Sequence, residues 1–582
     1  MSGLLAALWL LGLFVGAPLL RTSPQYAFVD RLRDALILGV AIPFALGLVH
    51  GLYPIACWAV LVICIALAYR RRFVAKDSAP RGETVGQPYV LIGALVAVAW
   101  PQLMRPLLDG DSLSYHLPNA ASWVQAHSLW TTATRYWWYP PASELFASAL
   151  YAVGGPFALP WAGFGALALL GFRIHAWARQ VFAATPLLAD ALAAATVTAY
   201  PLAIQGGTLQ NDVWLAAFWL ETLWLTGLPG ATATAMRTIA VTALIKPQGW
   251  LLAAIGLFAF KAKPRLWLAW AGALVLWILR NAVLWRGAIV SPSSTIYGNI
   301  GGSTILGHGA QALALLARVA FHLSPFALLA FSAALLGPLI ARREPRLGWA
   351  AFAAAALVFV LPFGYNTSVA QLATGASLRL TAPAIAAGAL LFARPALRNV
   401  ALSSGLLLAS TFFGVWSIMT IFWNDGSTRV AIPIAALAIA IAATAHLRRT
   451  AWPNALALGV AVIATTHLAA RHALDYYTDA LRVGQSAPGL YRWIEATRPA
   501  AIGGWGLRLG VVNVLSPQTR TLDLLDTAAC AQARRNGVLL VAVAENDRSP
   551  GSNAQRLGSA RACGQIVYDD PIAVVIKPSA GR

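Results

Sequence analysis

A chain of 582 residues with 59% apolar and only 11% charged residues is far from the composition of a water-soluble protein, in which about a quarter of residues are charged. Its 42 Lys and Arg against 21 Asp and Glu give a net charge of +21. The cations are spread along short loops and are not gathered in a patch, which argues against nucleic acid and for the positive-inside bias of a membrane protein.

Apolar runs long enough to span a hydrocarbon core recur from the N-terminus to residue 470. Residues 1–20 have no basic leading segment and read as a first span, not as a cleaved signal. Placing the basic clusters in the cytoplasm gives spans near 3–20, 35–50, 53–69, 88–104, 142–171, 185–204, 212–227, 266–284, 310–340, 347–363, 376–393, 399–421, 429–446 and 451–470. The expected fold is therefore an all-α polytopic membrane protein with about fourteen transmembrane helices. Loops 105–141, 205–211, 285–309, 364–375 and 422–428 then lie outside. Gly154-Gly155-Pro156 should break the over-long 142–171 segment, and the Lys-Pro-Gln-Gly turn at 246–249 should split 237–260 into two short helices.

After residue 470 polar helical sequence alternates with short apolar runs at 511–515, 537–545 and 571–578, read as strands of a small extracytoplasmic α/β domain. Three domains are expected: N-terminal extra transmembrane helices over 1–87, a transmembrane domain over 88–470, and the outer domain over 471–582. Cys530 and Cys563 lie in that last domain and can bridge in an oxidising compartment, whereas Cys57 and Cys64 read as small core residues. No internal repeat is visible.

Acid is scarce: only eight Asp and Glu fall between residues 85 and 470, and three of them, Asp109, Asp111 and Glu144, lie in or beside the outer loop 105–141. Ionisable groups at the border of a bilayer mark a candidate site. Tyr115 and His116 follow the two aspartates at a spacing that suits the start of a surface helix. Asp109 and Asp111 also fit an ordinary Asp-Gly turn, and the tryptophans at 123, 130, 137 and 138 fit an interfacial belt. Asp212 opens a span on the same side and reads either as a helix cap or as a second site acid. Glu221, in mid-span, should be paired inside the bundle. Lys246, Arg280 and Arg379 place cations near outer helix ends, where a snorkelling role competes with binding a lipid phosphate. No phosphate loop, dinucleotide fingerprint or metal-spaced Cys/His set occurs, so a donor must already be in the membrane.

These features together resemble the GT-C glycosyltransferases, the group that includes protein O-mannosyltransferases and the aminoarabinose transferases acting on lipid A. Asp111 with Tyr115 four positions on, Tyr139-Pro140-Pro141 leading to Glu144, Asp212 in NDVWLAA, Lys246-Pro247 and Arg379 match that group's elements in order over roughly 88–400. Three extra spans at the N-terminus, and Ser112 where the family often has Glu, depart from it. The resemblance implies transfer of a sugar from a polyprenyl-phosphate donor to a lipid, glycan or protein acceptor on the outer face of the inner (cytoplasmic) membrane. It implies Asp111 as catalytic base, Asp109 and Asp212 as catalytic positioning acids, and Tyr115, Glu144, Lys246 and Arg379 as substrate-binding residues, to which the reading of the loop and of the outer helix ends adds His116 and Arg280. No cofactor is implied, and a divalent cation is neither required nor excluded. The competing classes are a polysaccharide polymerase or ligase, a transporter or flippase of lipid-linked glycans, and a membrane scaffold.

Overall fold

The protein is described here by a computed structural model covering residues 2–20, 28–74, 88–103, 107, 109–134, 136–284, 324–360, 376–422, 487–524, 528–544 and 550–579. Most of the described chain is helical, with one small sheet near the C-terminus. Expected spans 429–446 and 451–470 and expected loops 285–309 and 364–375 lie outside the described residues.

Among the described residues, three helical segments are long and apolar enough to cross a membrane: 54–71, 156–180 and 264–284. The described helices do not confirm the expectation of about fourteen spans. Several expected spans are interrupted. The 185–204 run is split into Pro186–Val197 and Tyr200–Ala203, and the 376–393 run begins as the 3₁₀ turn Ala376–Thr381 before the helix Ala382–Ala396. The 142–171 run breaks where expected: helix Ala142–Gly154 ends at Gly155, whose φ of 71° suits glycine, and a new helix runs over Pro160–Gln180.

The expected span ends at 171 and so leaves Arg173 in the loop that follows, but the second helix carries on to Gln180 and takes Arg173 into the bundle. Arg173 is buried inside the bundle. It donates to Glu221 Oε1 at 2.5 Å and to Asp30 Oδ1 at 2.9 Å, while Arg33 pairs with Asp34 at 3.0 Å and approaches Glu221 at 3.5 Å. Glu221 is thus paired inside the bundle. Charges left in apolar surroundings are tolerable only with such partners, and these pairs fasten helix Phe28–Leu48 to helices Pro160–Gln180 and Asp212–Thr226. A second cross-helix tie is the Asp190 carboxylate, which accepts the Val90 and Leu91 N–H groups at 2.9 and 2.8 Å and so caps helix Tyr89–Leu103 from outside.

The C-terminal sheet has five strands: β1 (Ala501–Trp505), β2 (Arg520–Asp523), β3 (Leu539–Val543), β4 (Gly564–Asp569) and β5 (Ala573–Pro578). Their order is β2-β1-β3-β5-β4, with β2, β1 and β3 parallel and β5 antiparallel to both neighbours. Cys530 and Cys563 are disulfide-bonded with Cα atoms 5.8 Å apart, joining helix Ala529–Asn536 to the residue before β4. One expected strand is a helix: the apolar run at 511–515 belongs to Leu509–Leu515, almost entirely buried. A short β-branched run packed on all sides gives no period by which to separate strand from helix.

That helix sets the position of the domain. It lies on the turn Ser112–His116, and a Cβ on Gly510 would come 2.4 Å from the Leu113 carbonyl oxygen, so only glycine allows the approach. The Gln125 side chain brackets the edge strand β2, donating to Thr519 O at 3.0 Å and accepting from Thr521 N at 3.3 Å. Asp523 N donates to Ala133 O at 2.8 Å. The exposed edge is thereby covered, and the domain and loop 105–141 occupy the same end of the bundle.

Candidate active site

Residues 109–116 begin with a tight turn in which Asp109 Oδ1 accepts the Ser112 N–H at 2.8 Å. The chain then forms a π-helical turn, Ser112–His116, before continuing as helix Leu117–Gln125. Such insertions widen a helix by one residue and recur at functional sites. Here the widened turn leaves Asp111 at its start with the side chain 31% exposed, while Ser112 is fully buried. Ser112 Oγ accepts the Leu209 N–H at 2.8 Å and ties this turn to the segment leading into Asp212. Nothing in the sequence signalled Ser112 in that role.

Asp212 is the first residue of helix Asp212–Thr226 and does not act as its cap. Asn211 occupies the cap position without a side-chain capping bond, and the Val213 N–H is accepted by Gln205 Oε1 at 2.9 Å. This leaves the Asp212 carboxylate available, and Lys246 donates to its Oδ1. Lys246 precedes helix Pro247–Ala259, whose first residue is proline, which needs no N–H partner there. Gly249 closes the turn, since a Cβ at that position would lie 2.2 Å from the Thr242 carbonyl oxygen. Ala142 N donates to Leu244 O at 2.7 Å, so the helix opened by Tyr139-Pro140-Pro141 abuts the same turn.

Arg379 completes the set. Its Nη2 pairs with Asp111 Oδ2, and its Nε lies 3.7 Å from Asp212 Oδ2. The four side chains form an alternating row, Asp111–Arg379–Asp212–Lys246, with two charges of each sign. Tyr115 adds a hydroxyl 3.4 Å from Asp111 Oδ2. Beside Asp212 and Lys246 opens a small cleft of about 20 Å³ whose other walls are mainly apolar, including Leu215, Leu252, Leu357 and Val358. Cations at one end of a greasy cleft suit an amphiphile with an anionic head.

Electrostatics separate the two loop aspartates. Burial pushes the Asp111 carboxyl up, but the Arg379 guanidinium and, further off, His116 outweigh it and hold Asp111 below the usual carboxylate range. Burial also pushes Asp109 up, and the bonds from Ser112 do not offset it. Asp109 accepts a long contact from Gln210 Nε2 at 3.5 Å, and its Oδ2 is buried without a hydrogen-bond partner among the described residues.

His116, Glu144 and Arg280 are not in the row. His116 Nδ1 lies 2.5 Å from Glu144 Oε1, both side chains are 1% exposed, and Ser143 Oγ donates to Glu144 Oε2 at 2.9 Å. These two expected substrate contacts face each other behind Tyr115. Arg280, expected as a phosphate partner, donates instead to the carbonyls of Leu129, at 3.2 Å from Nε, and of Trp137, at 2.7 Å from Nη1. It stacks over Trp277 at 4.4 Å. It pins the outer loop to helix Pro264–Leu284. No group of three or more His, Cys, Asp or Glu that would hold a metal ion occurs among the described residues.

No protein-family model matches the chain, and no curated protein matches it. The chain is similar to two crystal structures of ArnT from Cupriavidus metallidurans, one in the apo state and one bound to undecaprenyl phosphate. In each case the identity is 15%, with 83% of this chain and 97% of that chain covered and a TM-score of 0.45.

Proposed function

We propose that this protein is an integral-membrane glycosyltransferase that moves a sugar from a polyprenyl-phosphate carrier to an acceptor on the outer face of the cytoplasmic membrane. One observation carries the reading: Asp111, Arg379, Asp212 and Lys246, from four separate segments, meet as one charged row at the mouth of an apolar cleft. The prenyl chain approaches along the apolar walls of the cleft, and its phosphate meets Lys246 and Arg379.

The chemistry follows from charge. In the donor the phosphate is a diester with one negative charge. As the acceptor oxygen attacks the anomeric carbon, the bond from that carbon to the phosphate oxygen breaks, and the leaving lipid phosphate gains a second charge. Cations already held in place stabilise that developing charge more than the starting diester. The acceptor hydroxyl loses its proton to a carboxylate, and Asp111 is assigned that role because it is the more exposed of the two acids in the row. An arriving phosphate competes with Asp111 for Arg379. Binding of the donor therefore releases the base from its ion pair at the moment it is needed.

Purified full-length protein, measured by native mass spectrometry, should hold undecaprenyl phosphate in preference to phosphatidylglycerol. Lys246→Ala and Arg379→Ala should each weaken that binding by about tenfold, the loss of one charge-assisted contact. Equal binding of the two lipids would reject the reading. The sidedness has its own check: reporter fusions at residues 345 and 480 should report opposite compartments, and equal signals would reject an outward-facing site.

A further inference from the structure

The charged row accounts for a phosphate and a base, but the site also holds oxygens that the row leaves unused. Three acceptor atoms in the same segments are buried without a hydrogen-bond partner among the described residues: Asp109 Oδ2, Gln210 Oε1 and Gln248 Oε1. Each belongs to a residue two positions from a charged member of the row, Asp109 from Asp111, Gln210 from Asp212 and Gln248 from Lys246. Gln210 is only 8% exposed, and its amide nitrogen is the end turned to Asp109 Oδ1 at 3.5 Å. Turning the amide over would set oxygen against oxygen, so its carbonyl must point away from that carboxylate. Gln248 lines the cleft together with Asp212 and Lys246.

A buried acceptor without a partner is costly, so three in the segments that carry the row call for an explanation. A phosphate cannot supply it, because its free oxygens are acceptors too. The complementary ligand carries several O–H donors on a compact frame, which describes a sugar ring. We infer that Asp109, Gln210 and Gln248 receive hydroxyl groups of the transferred sugar and set which sugar is accepted. This inference rests on the lipid-linked transferase reading and deepens it. Phosphate recognition falls to the donors Lys246 and Arg379, and sugar recognition to the three acceptors beside them. A site that hydrogen-bonds a hydroxyl discriminates strongly against an analogue lacking it, because its own buried oxygen is then stranded. Water filling the three positions is the alternative, and the experiment distinguishes it.

Binding of the detergent-solubilised full chain is measured against undecaprenyl methyl phosphate, a diester with no sugar, and against undecaprenyl phosphate bearing glucose, mannose, galactose or arabinose. At least one sugar-bearing lipid should bind about tenfold more tightly than the methyl diester, the worth of one or two hydrogen bonds. Gln210→Met should remove that preference while leaving the affinity for the methyl diester unchanged, and Gln248→Met should lower the affinity for the sugar-bearing lipid more than that for the methyl diester. Gln248→Met should not lower Tm, since it removes a stranded oxygen and keeps the side-chain volume. Three results would overturn the inference: no sugar-bearing lipid preferred by the unaltered protein, equal loss for sugar-bearing and sugar-free lipids, or a lowered Tm with the preference intact. Failure of the unaltered protein to bind any of these lipids would instead overturn the transferase reading, and this inference with it.

Discussion

His116 Nδ1 lies 2.5 Å from Glu144 Oε1 with both side chains 1% exposed, which makes a buried pair the support on which the Tyr115 ring rests. The Tyr115 and His116 rings are 4.1 Å apart, and Tyr115 in turn reaches Asp111. Glu144 sits in the first turn of helix Ala142–Gly154, where a carboxylate also suits the helix dipole. Removing one partner strands the other in a dry interior, so Glu144→Ala should lose about 3 kcal/mol of stability. Glu144→Gln keeps an acceptor for His116 and should lose less. Thermal unfolding of the two variants in one detergent should rank Glu144→Ala below Glu144→Gln, and the reverse order would show that the pair does not hold the turn.

Asp109 offers a test by pH. Its folded carboxyl titrates above its ordinary value because burial outweighs the Ser112 bonds. A group raised in the folded state contributes stability below its unfolded pKa, near 3.9, and loses it as pH rises through the folded value. Asn cannot ionise and is free of this loss. The Tm of Asp109→Asn relative to the unaltered protein, measured without ligand, should therefore move upward as pH is raised from about 4 to 7. A difference that stays flat, or moves downward, would remove burial as the dominant influence on Asp109.

The C-terminal domain bears directly on the turn that carries Asp111. Because a Cβ on Gly510 would meet the Leu113 carbonyl at 2.4 Å and a backbone atom cannot swing aside, Gly510→Val must part the domain from Ser112–His116 or displace that turn. A displacement of about 1 Å near reacting groups can lower a rate by about 10²-fold. Transfer should fall accordingly, and amide exchange at 112–116 should rise. Normal transfer with unchanged exchange would mean that the domain does not position the turn.

How much of this was legible follows the local chemistry. The break at Lys246 was readable because Pro247 lacks an N–H and fixes φ, a property of one residue whatever its surroundings. The meeting of Asp111, Asp212 and the Lys246 turn was expected from the family resemblance, whose elements they match in order, and the contact of Arg379 with both acids is visible only in three dimensions. Arg280 was not readable, because its partners are carbonyls of irregular backbone at 129 and 137, which any sequence supplies. Arg173 misled for a related reason: an arginine at a helix end and one paired inside a bundle look alike until the acid, Glu221, is known to face it. The unpartnered oxygens of Gln210 and Gln248 carry no sequence signal, since missing partners are visible only in three dimensions.

Arg379 contacts Asp111 and lies 3.7 Å from Asp212, and the proposed reaction turns on its leaving the first of these. In the free protein the Arg379 charge overcomes burial and holds the Asp111 carboxyl below the ordinary range. Asp111 is then ionised at any pH above about 4, and the pair it makes weakens only as pH falls below that range. When the donor phosphate draws the guanidinium away, Asp111 loses the partner that favoured its charge, and its pKa rises. Since kcat/KM reports the free protein and kcat the bound one, the acid limb of kcat should lie at higher pH than that of kcat/KM. Asp111→Asn keeps size and polarity and removes the base, so transfer should drop by about 10²-fold or more while undecaprenyl phosphate still binds. Affinity for that lipid should even increase, because Arg379 is no longer held by a competing carboxylate. Full transfer by a well-folded Asp111→Asn variant would remove Asp111 from the role of base. Coincident acid limbs would reject the exchange of Arg379 between carboxylate and phosphate.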